Sequence, residues 1–430
     1  MNILVFSNSA WDDTKSLGNT MSNFFSGDIW KKDNFSNIYL RNAMPNNNVC
    51  KDYYRMTLLD MMKNSFSKEK IGKHFILKDD NTKISLKSKK EQKYIDIIHK
   101  YSLNLVYVLA DYFFRRKKWL NNNLKKYIKE KKPDIVFAFL SDVAILKPLI
   151  KYIKDNTGAK VVLFAADDVY GAYRSEFYFR RKKLKKEFED IVNMSDQLYG
   201  ISKELCNVYS EKFNKNFKIL YKGCTFDFPK KQKVNDNIKF VYAGNLFYGR
   251  LEILSEIAKA IKKCNKKDNK ASLEIYTAAT ITDEIKNKLN IPGISTIMGK
   301  REYEEIKRIE NKADYVLHVE SFEKKNIELV KYSFSTKIID CLQSGSCLVG
   351  IGPRSISSIK YINNIPGAYV IYKIEDIDKE IEKLILNKND IVENSNKTRE
   401  FAIKNHEITK NQNKLRQDFI ELCNKQKKVE

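Results

Sequence analysis

The chain begins with NILVFS, a continuous apolar run stopped by Asn8 and Ser9, and stretches of this kind recur along its length. Short unbroken apolar runs bounded by turn residues read as buried strands. IVFAFL, VVLFAA, QLYGIS and the start of FKILYKG belong to the same class. Between them lie segments of helical period: SLGNTMSNFF with Asn19 or Thr20 near its cap, LNNNLKKYIKEKK before a Lys132-Pro133 break, LKPLIKYIKDNTG ended by Gly158, and FRRKKLKKEFEDIVNM. After the polar, aperiodic stretch KKQKVNDN the alternation restarts. It runs IKFVYAGNL, LEILSEIAKAIKKC, SLEIYTAAT, DEIKNKLN, STIMG, REYEEIKRIENK, YVLHVES, a helix of about 337–343, and CLVGIG. Helices alternating with apolar strands predict an α/β protein built from crossover units on mostly parallel sheets.

This pattern predicts two doubly wound domains, over 1–229 and 238–390, with the linker at 230–237 and a polar helical segment over 391–430 that packs back on them. Residues 51–100 are less regular and read as helical pieces around a polar loop at 78–90. At 430 residues, 43% hydrophobic, the chain is long enough for two cores and lacks a disorder signature. The longest apolar passage, YSLNLVYVLADYFF, is interrupted by Asn104 and Asp111 and is shorter than the roughly 20 residues of a membrane span. MNILVFS has no basic leader and no cleavage site, so no secretory signal is expected. Seven scattered cysteines without CxxC, and four histidines without ligand spacing, point to reduced thiols in a cytoplasm and to no metal centre. The net charge is +25, of which residues 1–230 carry +17. It is densest in RRKK at 115–118 and RRKKLKK at 180–186. Such a field attracts nucleic acid, anionic lipid or phosphorylated substrates, unless it is only a Lys-rich compositional bias.

Candidate chemistry lies where loops leave the carboxyl ends of strands. Gly244-Asn245-Leu246 and Gly249-Arg250 follow strand FVYA. Glycine admits a phosphate close to the backbone and arginine forks onto its oxygens; a plain turn with a surface Arg is the other reading. In YSFSTKIIDCLQSGSC, Ser333, Ser335 and Thr336 are cap residues and Gly345 a stop. Ile338, Ile339 and Leu342 form one arc of that helix, with Lys337 and Asp340 opposite. These two are either a solvated ion pair or the wall of a site. Lys337 opposes the helix dipole, which makes better sense beside an anion, and Asp340 has the chemistry to accept ribose hydroxyls. Asp167-Asp168 at the end of VVLFAA are general-base candidates or turn caps, and Arg174 is placed to pair with one of them or with an anionic group. His318 reads as a buried, satisfied imidazole.

KILYKGCTFDFPKK, FVYAGNLFYGR, ADYVLHVES and SFSTKIIDCLQSGSCLVGIGP, in this order, resemble the GT-B glycosyltransferases, in particular family-4-like enzymes that use nucleotide sugars in bacterial surface polysaccharide synthesis. The resemblance implies two Rossmann-like domains facing across a cleft, with the C-terminal helix packing across them. It implies transfer of a sugar from a nucleotide-diphosphate sugar to a glycan or lipid-linked glycan, without a metal or other cofactor. It places Asp340 on the ribose, Lys337 and Arg250 on the diphosphate with Gly244, Asn245, Ser335 and Thr336 around it, and the 299–303 loop with Lys300 against the base. Gly18-Asn19-Thr20 would then be an acceptor loop, joined by Arg174. Departures are Tyr332 in place of a glutamate, Asp rather than Glu at 340, and Ser335 where proline is usual, so a retaining mechanism is not implied. The expected location is cytoplasmic, peripheral on an anionic membrane. An epimerase or hydrolase on the same architecture would need further acid-base residues. A nucleic-acid-binding protein would need a recognisable module or basic residues interleaved with exposed aromatics.

Overall fold

The computed structural model describes residues 1–63, 72–77, 104–267 and 270–427. The loop expected at 78–90 lies outside them. The chain divides into two compact units, Met1–Leu220 with Gln412–Glu430, and Tyr221–Asn411. The division falls at Leu220/Tyr221, earlier than the charged stretch at 230–237. That stretch has no helix or strand but is bonded within the second unit: Lys231 Nζ lies 3.3 Å from Asp314 Oδ1 and Asn235 Nδ2 donates to Asp314 Oδ2 at 2.8 Å.

The first unit holds an eight-stranded sheet of β1 (Asn2–Ser7), β2 (Asn34–Tyr39), β3 (Asp52–Arg55), β4 (Lys73–Ile76), β5 (Ile135–Phe139), β6 (Lys160–Ala165), β7 (Gln197–Gly200) and β8 (Phe217–Ile219). Their order is β4-β3-β2-β1-β5-β6-β7-β8, parallel throughout except for β4. The apolar runs β1, β5 and β6 form its centre because both faces are covered. From Gln412 onward, helix Ile408–Lys427 belongs to this unit. Arg416 Nε donates to Asp33 Oδ2 at 3.0 Å, and Phe419 is fully buried against Phe25, Trp30 and Phe137.

One local expectation is corrected. Gly18, Asn19 and Thr20 are neither a loop nor a cap but lie inside helix Ser16–Phe25, whose N-cap is Lys15. The chain reverses at Asp12, whose carbonyl accepts from Lys15 N at 2.9 Å and passes over Gly18. A Cβ at Gly18 would stand 2.0 Å from that carbonyl oxygen, so the glycine serves a close backbone crossing.

The second unit has six parallel strands, β9 (Ile238–Ala243), β10 (Ala271–Tyr276), β11 (Ser295–Gly299), β12 (Tyr315–Val319), β13 (Cys347–Ile351) and β14 (Tyr369–Ile371). They are ordered β11-β10-β9-β12-β13-β14. Counted from the first strand of the unit this is the Rossmann order 3-2-1-4-5-6. Chain direction reverses its winding between β9 and β12, and the crevice beyond the carboxyl ends of these two strands is where such sheets bind ligands. The GNLFYGR loop, after β9, and Glu320, after β12, leave from that edge.

Candidate functional site

The loop after β9 is GNLFYGR, and it is held rigidly. Tyr242 Oη donates to the Asn245 carbonyl at 2.6 Å, and Asn245 Oδ1 accepts from Phe247 N at 3.2 Å. Tyr248 and Gly249 both have left-handed φ, +59° and +73°. Gly249 has to be glycine: a Cβ there would meet Ser321 Oγ at 2.4 Å. The turn delivers Arg250, first residue of helix Arg250–Asn265, into the crevice between β9 and β12. Its Nε donates to the Val319 carbonyl at 3.0 Å, Nη1 to Asn245 Oδ1 at 2.7 Å and Nη2 to Glu320 Oε2 at 2.8 Å. Glu320, which follows β12, is buried, and His318 Nε2 lies 3.2 Å from its Oε1. Burial opposes charge on Glu320, but His318 and Arg250 outweigh it and hold the carboxyl below its usual range.

The second group gathers on helix Lys337–Ser344. Ile338, Ile339 and Leu342 are buried as their spacing predicts, and Gly345 closes the helix at φ +71°. Thr336 is the N-cap residue but makes no side-chain cap bond, and Ser335 N donates instead to Ser358 Oγ at 3.2 Å. Lys337 is exposed. Asp340 is not a solvated partner of Lys337 as an i, i+3 reading had it: its Oδ1 accepts from Lys222 Nζ at 2.6 Å and Tyr303 Oη at 3.0 Å. Lys222 is placed by the segment that begins this unit, where Cys224 Sγ donates to the Ile339 carbonyl and Thr225 N to Gln343 Oε1. Its ammonium also lies 5.1 Å from the centre of the Tyr303 ring. Burial would raise the Asp340 pKa, but Lys222, Lys337 and the two hydrogen bonds bring it below the ordinary carboxylate value. Burial, and then the Asp340 charge, keep the Tyr303 phenol protonated, so it stays a donor. Asp340 is thus a charged carboxylate fixed from one side, with both bonds on one oxygen.

Beneath it lies Glu310, 4% exposed, with Oε2 buried and unbonded among the described residues. Desolvation pushes its carboxyl up to about 8, against the pull of Lys337. A raised carboxyl pKa means the folded state holds a proton that the unfolded chain has released. Its stabilising contribution is therefore full below the ordinary value of 4.5 and is lost as pH rises through about 8. Each pH unit in that window removes roughly 1.4 kcal/mol. Glu310→Gln, which is neutral at every pH, is expected to raise the melting temperature at pH 7.5 and to leave it almost unchanged at pH 5. An equal shift at both values would show that Glu310 does not fold as the neutral acid.

Other residues singled out in the sequence make contacts of their own or are exposed. Gly244 N donates to the Tyr276 carbonyl, and Lys300 is exposed beyond β11. Asp168 is the N-cap of the turn Val169–Ala172: its Oδ1 accepts from Gly171 N at 2.8 Å and from Tyr209 Oη at 2.9 Å. Asp167 is exposed next to it. Arg174 Nε donates to the Gly171 carbonyl at 3.0 Å. Lys222, Tyr303, Glu310 and Glu320 were not found as a set from sequence. Lys222 is 118 residues from Asp340 and has no local signal, although KGC was in view as a strand end. Among the described residues no group of three or more His, Cys, Asp or Glu converges as a metal site, and no helix is long and apolar enough to cross a membrane.

No family model matches this chain, and no curated protein does. Its structure is similar to several solved ones. HepE of Anabaena, in complex with UDP, is 9% identical, with a TM-score of 0.63 over 98% of this chain and 100% of that one. WaaG, a glycosyltransferase involved in lipopolysaccharide biosynthesis, is 10% identical, with a TM-score of 0.54 over 93% of this chain and 95% of that one. TarM of S. aureus, in complex with UDP, fondaparinux and α-GlcNAc-glycerol, is 16% identical with a TM-score of 0.51. That match covers 70% of this chain and spans 58% of the TarM chain. The shared fold is GT-B: two Rossmann-like domains in one chain.

Proposed function

We propose that this chain is a glycosyltransferase that moves a sugar from a nucleotide-diphosphate sugar, with UDP as the nucleotide, to a glycan or lipid-linked glycan of a bacterial surface polysaccharide. The observation that carries this reading is the charged, oriented Asp340 carboxylate beside the Arg250 crevice, on a sheet with Rossmann strand order. HepE and TarM, which share the fold, are bound to UDP, and WaaG acts in lipopolysaccharide synthesis; both points favour the finer reading.

In this assignment Asp340 Oδ2 accepts the ribose hydroxyls while Oδ1 stays on Lys222 and Tyr303. The loop with Lys300 borders the base. The backbone amide of Asn245, next to Gly244, and the helix start at Thr336 and Lys337, next to Ser335, receive the diphosphate. Lys337 and Arg250 stabilise the negative charge that grows as the sugar–oxygen bond breaks, a role that needs no metal when two cations supply it. Asp167 or Asp168 takes the acceptor proton; Asp168 Oδ1 already accepts from Gly171 N and Tyr209 Oη. Arg174 borders the acceptor. A lipid-linked acceptor would put the enzyme on the cytoplasmic face of the plasma membrane.

A thermal-shift panel of UDP, GDP, CMP and their sugars tests the reading. UDP and one UDP-sugar are expected to raise the melting temperature by several degrees, the others by little. No response to any nucleotide would sink it.

A further inference from the structure

Two features of the first unit play no part in that chemistry: the basic runs at 115–118 and 180–186, the densest in the chain. The fold brings them together. Arg180, in helix Tyr178–Met194, donates from Nε to Asp111 Oδ2 at 2.9 Å and from Nη2 to Oδ1 at 3.3 Å. Arg115, last residue of helix Asn104–Arg115, donates from Nε and Nη2 to Glu187 at 2.7 and 2.9 Å, and its Nη2 lies 3.3 Å from Asp111 Oδ2. Asp111 and Glu187 are buried. Arg180 also pairs with Glu176, so two arginines and three carboxylates form a network that pins the end of one helix to the beginning of the other. A buried network of this kind is weak evidence of stability for its own sake; what it secures is which surfaces are neighbours.

The surfaces it pairs are unusual. Phe177, Tyr178 and Phe179 are 57, 61 and 84% exposed, and on the other helix Leu109 and Tyr112 are 57 and 54% exposed. Cations stand over the rings: the Arg181 guanidinium is 5.7 Å from the centre of Tyr178, and that of Arg116 is 5.4 Å from the centre of Tyr112. Large apolar side chains gathered at the surface and rimmed by charge mark a docking site.

We propose that this patch docks the protein on an anionic lipid bilayer. The exposed rings and Leu109 sink to the boundary of headgroups and acyl chains, and the flanking basic runs meet lipid phosphates. Charge chooses the partner's sign, since residues 1–230 carry +17. Shape and composition choose a bilayer over a nucleic-acid strand. A phenylalanine 84% exposed protrudes, and Leu109 and Phe177 lie with it, whereas a strand is held in a basic groove by flat stacking platforms. With no spanning helix among the described residues, attachment is interfacial. The inference goes beyond the proposed activity and is measured without turnover.

The full-length protein is sedimented with vesicles of phosphatidylcholine alone, and of equal parts phosphatidylcholine and phosphatidylglycerol. Binding is expected to the anionic vesicles, to weaken on the neutral ones and to fall with added salt. Phe177→Ser with Phe179→Ser is expected to weaken it about tenfold, and Lys182→Glu with Lys183→Glu to abolish it. These side chains are exposed, so both variants should melt like the wild type and keep its thermal response to UDP. Binding unchanged in the serine variant, or absent from both vesicles, overturns the proposal. So does tight, salt-sensitive oligonucleotide binding that the same variants remove while vesicles are ignored. Vesicle binding with no UDP response would leave the docking surface standing and remove the glycosyltransferase reading.

Discussion

Asp340→Ala is expected to destabilise the second unit by about 3–5 kcal/mol, and Asp340→Ala with Lys222→Met to recover most of that stability without recovering nucleotide binding. The first effect follows from Lys222, whose side chain is 4% exposed and whose ammonium is 2.6 Å from Asp340 Oδ1. Removing the carboxylate leaves a cation out of water beside the Tyr303 ring and hydroxyl. Removing both charges ends that penalty, because an apolar side chain of similar length fills the space. If Asp340 served only the fold, the double variant would bind UDP like the wild type. If it also holds ribose, the double variant loses the bonds that Oδ2 makes, each to a charged acceptor, and affinity should fall by roughly two orders of magnitude. Urea unfolding with and without UDP separates the two. A double variant that is stable and binds UDP within twofold of wild type would remove Asp340 from the donor site.

That test depends on a pairing the sequence did not display. Long apolar runs such as VVLFA and CLVGI announce themselves because parallel strands are covered on both faces, and the two sheets were legible from them. β2 was not, since NFSNIY is half polar. Asn37 is fully buried there, its Nδ2 bonded to the Val5 carbonyl and to Ser7 Oγ, so tertiary contacts supply what the pattern lacks. β3 and β4, at four residues each, are too short to carry a period. The same division runs through the site. Arg250 and Asp340 were visible because each follows a strand and opens a helix. Lys222, Tyr303 and Glu310 became visible only when two distant segments, the one at Lys222 and helix Tyr303–Lys312, met around helix Lys337–Ser344. Gly18–Thr20 was expected as a loop only from the resemblance, whereas here the glycine lies in a helix and admits the Asp12 backbone against it.

Arg250→Ala is expected to cost more activity than any other single substitution on the nucleotide side, about 100- to 1000-fold in kcat/KM for a UDP-sugar. Its guanidinium ties three separate pieces together: the Asn245 side chain of the GNLFYGR loop, the last carbonyl of β12, and Glu320. Alanine frees the loop and leaves the Glu320 carboxylate buried beside the His318 imidazole. Lysine is not expected to rescue it, because one ammonium cannot reproduce a planar fork to three acceptors. Glu320→Gln distinguishes anchoring from charge. It keeps the acceptor oxygen for Arg250 Nη2 but removes the negative charge that cancels the arginine, so UDP should bind about tenfold more tightly. The same variant should change acid stability. With its folded pKa depressed, Glu320 contributes stability above its ordinary value of 4.5 that is lost as pH falls through the folded value. The glutamine variant lacks that loss, so its stability should fall less steeply below pH 4.5. Titration calorimetry with UDP at neutral pH decides the matter. Tighter binding by Glu320→Gln and weaker binding by Arg250→Ala place the guanidinium on the diphosphate, whereas UDP affinity unchanged in both variants would reduce Arg250 to a staple for its loop.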